Sequence, residues 1–136
     1  MVQNEIKVNV QKDVGDSPLI NFLIDLNIQM SNRNMQFFFD HITEDIRWHI
    51  IGLQTLKGKE KVIDFMEEVG NLPVKELFIQ SIISHGTAGA VNAAVTLSNH
   101  EKCEYCSVYT FTNDEQNIQI KEITTYFQKY IEITDM

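Results

Sequence analysis

The chain has 136 residues, an apolar fraction of 43%, and a formal net charge of −8 from 19 acidic residues against 11 Lys and Arg. This composition is that of an ordinary globular protein, and the acidic excess disfavours nucleic acid, whose binding depends on clustered cations. No apolar run approaches the roughly 20 residues that a membrane helix needs, and the amino-terminal residues carry neither a basic leader nor an apolar signal core. We therefore predict a cytoplasmic protein with no nucleic-acid or membrane partner.

Residues 1–16 alternate weakly, with Ile6, Val8 and Val10 spaced by two, and they end at a Gly-Asp pair. Such a segment is either a short edge strand or a tail that projects from the fold, and we favour the tail. We assign residues 17–136 to a single domain, which is long enough to bury roughly two-thirds of its unfolded surface.

Three helices are predicted in the first half of the chain. Ser17 and Pro18 offer an N-cap and a first helical residue for a helix that ends near residue 31. A shorter helix over about residues 35–41 contains three consecutive Phe, too crowded for one apolar stripe, so at least one ring faces a neighbouring element or a cavity. The third helix covers residues 59–69 and stops before a Gly, with a Pro beyond.

The second half of the chain changes to a hydrophobic period of two, which is typical of strands. Four extended runs are predicted, over residues 76–85, 89–98, 103–112 and 118–128, with short polar segments suited to hairpins between them. A further strand over residues 45–51 precedes the third helix. Helices followed by a meander of strands indicate an α+β fold, with the helices on one face of an antiparallel sheet.

The cysteines and histidines were candidates for metal or redox chemistry, and neither set has the required spacing. Cys103 and Cys106 form a C-x-x-C, but within a strand an odd separation sends the thiols to opposite faces. Their Cα atoms would then lie roughly 10 Å apart, too far for a disulfide. His41, His85 and His100 have no metal-ligand spacing with one another or with an acid. We predict no metal site and no cofactor.

One segment carries a family resemblance. Residues 44–52 read EDIRWHIIG, and Gly58-Lys59 follow with an apolar residue and Phe65 at regular spacing. This pattern resembles the entry strand and third helix of the NTF2-like superfamily, particularly its SnoaL-like branch of ketosteroid isomerases and polyketide cyclases. The segments SVYTF at 107–111 and IKEITTYF at 120–127 resemble late strands of the isomerases. The resemblance covers about residues 17–128 and implies a cystatin- or NTF2-like cone, in which three N-terminal helices pack on a curved antiparallel sheet around a pocket.

The resemblance also implies a set of site residues. His49 falls where the isomerases place their general base, and an imidazole can exchange a proton near neutral pH. Ser107 falls where they place a protonated acid of the oxyanion hole, a role that a hydroxyl fills more weakly. His49 is thus the catalytic candidate, and the predicted substrate-binding residues, which form an aromatic and sparsely polar wall, are Trp48, Phe38, Ser107, Tyr109, Ile123 and Phe127.

The sequence does not decide which side chains of the strand at 45–51 point inward. Hydrophobicity alone would turn Ile46, Trp48 and Ile50 inward, whereas the isomerase alignment turns His49 inward. A bulge near the end of the strand could bring both Trp48 and His49 to the mouth of the pocket.

Two functions are compatible with these residues. One is a small-molecule-binding NTF2-like protein that acts as a SnoaL-like isomerase or cyclase on a small, mostly apolar substrate through His49. The other is a non-catalytic ligand-binding or dimerisation module. Whether the chain is an enzyme stays open. Asp25 and Glu122 are the acidic residues that could partner His49, and the sequence does not establish that either one faces it.

The outer face of the predicted sheet bears on assembly. Cys106, Val108, Thr124 and Tyr126 would lie there, a set too apolar for comfortable exposure. Sheets of this family commonly use that face for a twofold dimer. We predict a homodimer through it.

Overall fold

The computed structural model describes residues 6–11, 14–69, 73–114 and 116–129. Helices dominate the first half of these residues and long strands the second, which confirms the α+β class. The elements in chain order are β1 (Lys7–Val10), α1 (Pro18–Ser31), α2 (Met35–Phe39), β2 (Ile42–Ile50), β3 (Gln54–Lys57), α3 (Lys59–Val69), β4 (Val74–His85), β5 (Ala88–Leu97), β6 (Lys102–Phe111) and β7 (Ile120–Lys129). Helices α1 and α3 have 14 and 11 residues, whereas α2 has only five.

In the described part of the chain, seven strands form one curved sheet in the order β1-β4-β5-β6-β7-β2-β3. Strands β4 to β7 pair antiparallel with their neighbours in sequence, as predicted for a meander. Strand β1 pairs parallel with β4, and β2 pairs parallel with β7. The sheet is therefore mixed, and the expectation of a wholly antiparallel sheet is wrong. Parallel neighbours need long crossover connections, and here the helices lie within those connections.

Both edges of the sheet differ from the favoured expectations. At one edge, Lys7–Val10 form β1, so these four residues follow the edge-strand alternative and not the tail. At the other edge, Gln54–Lys57 form β3, which the sequence analysis did not predict. Strand β3 has four residues with a single apolar side chain, Leu56, so it is too short and polar to display a period of two.

Helix α1 begins as its sequence predicts and packs closely on the sheet. The Ser17 hydroxyl accepts a hydrogen bond from the Ile20 N–H at 3.1 Å, and Pro18 occupies the first turn. The side chain of Leu23 is fully buried. A Cβ added at Gly89 would lie 2.8 Å from Leu23 Cδ1, so the absence of a side chain there allows the helix to approach β5.

The core lies between the inner face of the sheet and the three helices. Helix α3 contacts β2 and β3 and buries Val62 and Met66, while α1 covers β4 and β5. Among the residues that the structure describes, no helix is long and apolar enough to cross a bilayer. The helices do not fill the inner face completely, and the space that remains is the candidate site.

Candidate functional site

A cavity of about 270 Å³ lies between the carboxyl-terminal end of α1 and the inner face of the sheet. Its volume is about nine times the ~30 Å³ that one water molecule occupies in the liquid, enough for a small organic molecule. Its wall combines methionines, aromatic rings and a few polar groups; the rings and methionines are Phe38, Trp48, Tyr105, Tyr109, Met30, Met35 and Met66.

Most of the predicted pocket residues line this cavity. They are Phe38, Trp48, Ser107, Tyr109 and Ile123. Phe127 lies on the same face of the sheet, opposite Tyr105 in the register, but its ring is 52% exposed and it does not line the cavity. The ring lies near the end of β7, beyond the part of the inner face that the helices cover. Contact between any of these residues and a ligand stays a prediction.

The structure places His49 outside the cavity. Trp48 pairs with Ile123 of β7 and lines the cavity, whereas His49 pairs with Thr124 and faces the other side of the sheet. The register irregularity of β2 lies between Ile42 and Arg47, before both residues, so no bulge brings them to one face. The alignment that turned His49 inward is thereby corrected, because strand alternation and hydrophobicity decide the facing.

On the outer face His49 lies between two polar side chains. Its Nε2 is 2.9 Å from a carboxylate oxygen of Glu122, and its Nδ1 is 3.2 Å from the hydroxyl of Thr55. Glu122, considered as an acidic partner for His49, does contact it, but on the side of the sheet away from the cavity. Asp25, the other candidate, is exposed on α1 and does not line the cavity.

The sheet wall of the cavity carries a short row of hydrogen-bonded side chains. The indole Nε1–H of Trp48 donates to the hydroxyl of Thr125 at 2.9 Å. The hydroxyls of Thr125 and Ser107 lie 2.8 Å apart and share a hydrogen bond, in which either one can be the donor. Trp48 is held in place by this row, so the cavity presents its ring in a fixed position.

Helix α1 contributes a second hydrogen-bonded group. The phenol of Tyr105 donates to Asn27 Oδ1 at 2.6 Å, and Asn27 Nδ2 donates to the carbonyl of Leu23 at 2.8 Å. The buried Asn27 therefore connects the helix wall to β6.

The two tyrosines of the cavity are neutral at physiological pH. Burial raises the pKa of Tyr109 to about 12, although hydrogen bonding with Ser107 and with Asn27 acts in the opposite direction. Burial also raises the pKa of Tyr105. Both phenols can donate hydrogen bonds, but neither readily gives up its proton near neutral pH.

The part of the cavity wall that the structure describes carries no formal charge. None of the described residues that line it is Asp, Glu, His, Lys or Arg. These residues thus include no side chain that titrates near neutral pH, and each of their polar side-chain groups is a hydroxyl, an amide or an indole.

A second cavity, of about 680 Å³, lies at the opposite end of α1. Ser17, Pro18 and Leu19 line it together with loop residues after β4 and β6. It contains none of the predicted site residues. In the described part of the chain, no group of three His, Cys, Asp or Glu is placed to hold a metal ion, and Cys103 and Cys106 are free thiols.

Solved structures with this architecture identify the fold. An NTF2-like protein of unknown function from Cytophaga hutchinsonii is 24% identical, with a TM-score of 0.61 over 79% of this chain and 97% of that one. An NTF-2 like protein of unknown function from Burkholderia xenovorans is 12% identical, with a TM-score of 0.69 over 87% of this chain and 88% of that one. The chain adopts the NTF2-like fold. The resemblance seen in the sequence is thereby confirmed at the level of the fold.

A third structural neighbour has a named activity. An LEH-like epoxide hydrolase from Mycobacterium tuberculosis is 16% identical, with a TM-score of 0.65 over 82% of this chain and 83% of that one. At such identities the likeness establishes the NTF2-like fold and not an activity. No protein-family model and no curated protein matches the chain.

Sequence reasoning missed two polar residues of the NTF2-like cavity. Asn27 and Ser31 lie on α1 at i+4 and i+8 from Leu23, so all three share one face of the helix. Both are buried. The signal was present, since two polar residues interrupt the apolar face of a well-defined helix, and such an interruption indicates a buried polar contact or a site.

Proposed function

We propose that this protein binds a small, largely apolar and uncharged molecule in the cavity of its NTF2-like fold, without acid–base catalysis by His49. The observation that carries the proposal is the composition of the wall, which is aromatic and aliphatic with neutral polar groups only. Ligand sites are commonly apolar cavities with a few well-placed polar groups. Among the functions open from sequence, the ligand-binding module is the better supported.

The catalytic alternative lacks its central group. General acid–base catalysis requires a side chain within hydrogen-bond reach of the proton that moves. His49 contacts Glu122 and Thr55 on the outer face, and the cavity phenols have raised pKa values. An activity like that named for the Mycobacterium hydrolase would need an activated water, and none of the described residues lining the cavity is a carboxylate. An isomerase or cyclase of the SnoaL-like type is disfavoured for the same reason.

Binding can be tested through Trp48, the only tryptophan of the chain. Indane, a bicyclic hydrocarbon, is a suitable probe because it fits the size of the cavity and carries no polar group. Its titration should change the Trp48 fluorescence and reach saturation. An unchanged emission up to the solubility limit of indane, together with no heat of binding by calorimetry, would contradict the proposal.

A matched pair of variants locates the bound probe. Val95 lines the cavity on β5, whereas Val108 is exposed on the outer face of β6. Val95→Phe should occupy part of the cavity and weaken indane binding by about tenfold, which corresponds to ~1.4 kcal/mol. Val108→Phe adds the same ring outside and should leave the affinity unchanged. Equal losses in both variants would place the probe elsewhere.

The outer sheet face supports a second proposal, a homodimer. Val108 and Tyr126 are 41% and 52% exposed there, and Ile83 on β4 is 69% exposed. Ala90 pairs with both Ile83 and Val108, so apolar side chains continue across three strands. Exposed apolar surface of this kind is typical of an interface.

Light scattering tests the dimer at micromolar concentration. The expected mass is that of two chains. Val108→Lys should shift it towards the mass of one chain. In a twofold contact the lysine would be buried against the same patch of the second copy, where the two charges repel each other. A monomeric mass for the unmodified protein would contradict the dimer without bearing on the cavity.

A cytoplasmic location stays a prediction.

A further inference from the structure

The second cavity, of about 680 Å³, lies at the amino-terminal end of α1. Its volume is within the roughly 300–1,000 Å³ that is typical of small-molecule sites. Three segments enclose it, namely the first turn of α1, the turn between β4 and β5, and the loop between β6 and β7. It shares no described residue with the cavity beside Trp48, so the two spaces are separate.

Hydrogen bonds connect the segments that enclose the second cavity. The hydroxyls of Ser17 and Ser84 lie 3.4 Å apart and join the start of α1 to the end of β4. The Phe111 N–H donates to the Thr87 carbonyl at 2.8 Å, which joins the end of β6 to the turn between β4 and β5. These contacts fix the walls relative to one another.

Most polar side chains of the second cavity can both donate and accept a hydrogen bond. Two are the amides of Asn113 and Gln116, and a third polar group is the carboxylate of Asp114. The other four are the hydroxyls of Ser17, Ser84, Thr87 and Thr112. Apolar surface lies among them, from side chains that include Leu19 and Ile118. A molecule that presents both hydroxyls and C–H groups would complement this wall.

Charge argues against an ion in the second cavity. None of the described residues that line it is Lys, Arg or His, so an anion would find no counter-charge there. The carboxylate of Asp114 could attract a cation, but the start of α1 borders the same space and carries the partial positive charge of a helix N-terminus. Asp114 Oδ1 also accepts a hydrogen bond from the Gln116 N–H at 3.0 Å. An uncharged molecule is therefore favoured.

Thr112 has a hydroxyl that lacks a partner. The residue lines the second cavity, and its hydroxyl oxygen is buried without a hydrogen bond in the described part of the chain. Its backbone is satisfied, since the Thr112 N–H donates to the Gln119 carbonyl at 2.9 Å. A buried hydroxyl without a partner is costly, and rotation about the Cα–Cβ bond can turn this one towards the cavity. A hydroxyl of a bound molecule would then supply the missing partner.

We propose that the second cavity binds an uncharged sugar, with Asp114 accepting hydrogen bonds from sugar hydroxyls and Thr112 pairing with a further one. Sugar hydroxyls donate and accept as the wall hydroxyls do, so the two sets can pair in either direction. The C–H face of the sugar ring packs against Leu19 and Ile118. Hydrogen bonds to a carboxylate are stronger than those between neutral groups, so Asp114 orients the ring.

The proposal is tested with four compounds that share a six-membered ring, added to the nitrogen-labelled full chain in nuclear magnetic resonance titrations. They are D-glucose, D-glucuronate, D-glucosamine at slightly acidic pH, where its amine is protonated, and tetrahydropyran-2-methanol, which has a single hydroxyl. Glucose should shift the amide signals of Thr87, Thr112 and Gln116 with a dissociation constant of about 1 mM, as expected for a few hydrogen bonds of ordinary net strength.

The other three compounds should bind about tenfold more weakly than glucose, because the two ions lack counter-charges and the tetrahydropyran lacks hydroxyls. The indole signal of Trp48 should not move with any of them. The proposal is wrong if glucose gives no saturable shift, if its shifts centre on Trp48, or if another compound of the set binds as tightly.

Thr112→Val and Thr43→Val form a matched pair of variants. Both threonines have a buried hydroxyl oxygen without a hydrogen-bond partner in the described chain, and of the two Thr112 alone lines the second cavity. Neither variant should lose stability in urea unfolding, because valine has nearly the shape of threonine and removes an unpaired polar group. Thr112→Val should weaken glucose binding by about threefold to tenfold, and Thr43→Val should leave it unchanged. Equal affinities in the two variants would overturn the role of Thr112.

Asp114→Asn tests the carboxylate. The asparagine Oδ1 can still accept from the Gln116 N–H, so the loop should keep its turn. The affinity for glucose should fall by about tenfold. Asp16→Asn is the control, because Asp16 is exposed just before α1 and does not line the second cavity. An unchanged affinity in Asp114→Asn, or an equal loss in Asp16→Asn, would overturn the role of Asp114.

Discussion

Trp48 and His49 are neighbours on one strand, yet they belong to two chemically different surfaces. Trp48 joins Thr125 and Ser107 on the inner wall, where every polar group is neutral. His49 joins Glu122 and Thr55 on the outer face, where an imidazole lies beside a carboxylate. The alternation of strands β2 and β7 separates the residues that can bind an apolar molecule from those that can move a proton. When a residue aligns with a catalytic position, the face of the sheet on which its side chain lies must therefore be known before a role is assigned to it.

The largest expected effect concerns packing on the inner side of the sheet, which the helices cover only in part. Phe38 is 1% exposed and Phe127 is 52% exposed, although both were predicted to line the pocket. Phe38→Ala should lower the free energy of unfolding by ~3–5 kcal/mol, because it leaves a cavity in the core. Phe127→Ala should cost less than ~1 kcal/mol. Urea unfolding of both variants gives the comparison, and similar midpoint shifts would show that Phe127 packs as tightly as Phe38.

Alkaline pH should reveal the buried phenols. The folded pKa of Tyr109, about 12, lies above its ordinary value of 10.0, so the folded state holds this proton more tightly than the unfolded state. The resulting stability is complete below pH 10 and is lost as the pH rises towards 12, up to about 3 kcal/mol.

Tyr109→Phe separates this contribution from general alkaline unfolding. The variant should lose less stability between pH 10 and 12 than the unmodified protein, as measured by urea unfolding at each pH. Some dependence should remain, because burial also raises the pKa of Tyr105. An unchanged slope in the variant would show that the Tyr109 hydroxyl is accessible to solvent.

The smallest effect is expected on the outer face. His49→Ala removes the 2.9 Å contact with Glu122. The side chains of His49 and Glu122 are 32% and 46% exposed, so water screens their interaction. The free energy of unfolding should fall by ~0–1 kcal/mol, as for other exposed pairs. Glu122→Gln should give a similar value, and the double variant should show weak coupling. A loss above ~2 kcal/mol would mean that the outer face is covered, for instance by a second copy of the chain.

The fold was predictable where its signals are local. Ser17 and Pro18 mark the start of α1, and the polar segments between β4 and β7 mark the hairpins. The parallel pairings of β1 with β4 and of β2 with β7 join residues that are far apart in sequence, so no local pattern reports them. Strand β3 was missed because its four residues are mostly polar, and its pairing with β2 supplies what its own sequence does not.

The site was predictable in part, and the reasons are physical. The apolar alternation of Ile46, Trp48 and Ile50 indicated the inner face of β2 correctly, whereas the alignment of His49 did not. Asn27 and Ser31 went unnoticed because α1 was read for its apolar stripe alone. Which polar residues on such a stripe meet a cavity depends on how far the sheet curves away from the helix, and that is a property of the whole fold.

The central claim is that a ligand enters the space beside Trp48 and not the surface around His49. The indole N–H of Trp48 and the imidazole of His49 give separate nitrogen signals in nuclear magnetic resonance spectra, and the two side chains lie on opposite faces of one strand. On titration with indane, the account predicts a saturable shift of the indole signal and no matching shift of the imidazole signal. A shift of the imidazole with an unmoved indole would contradict it.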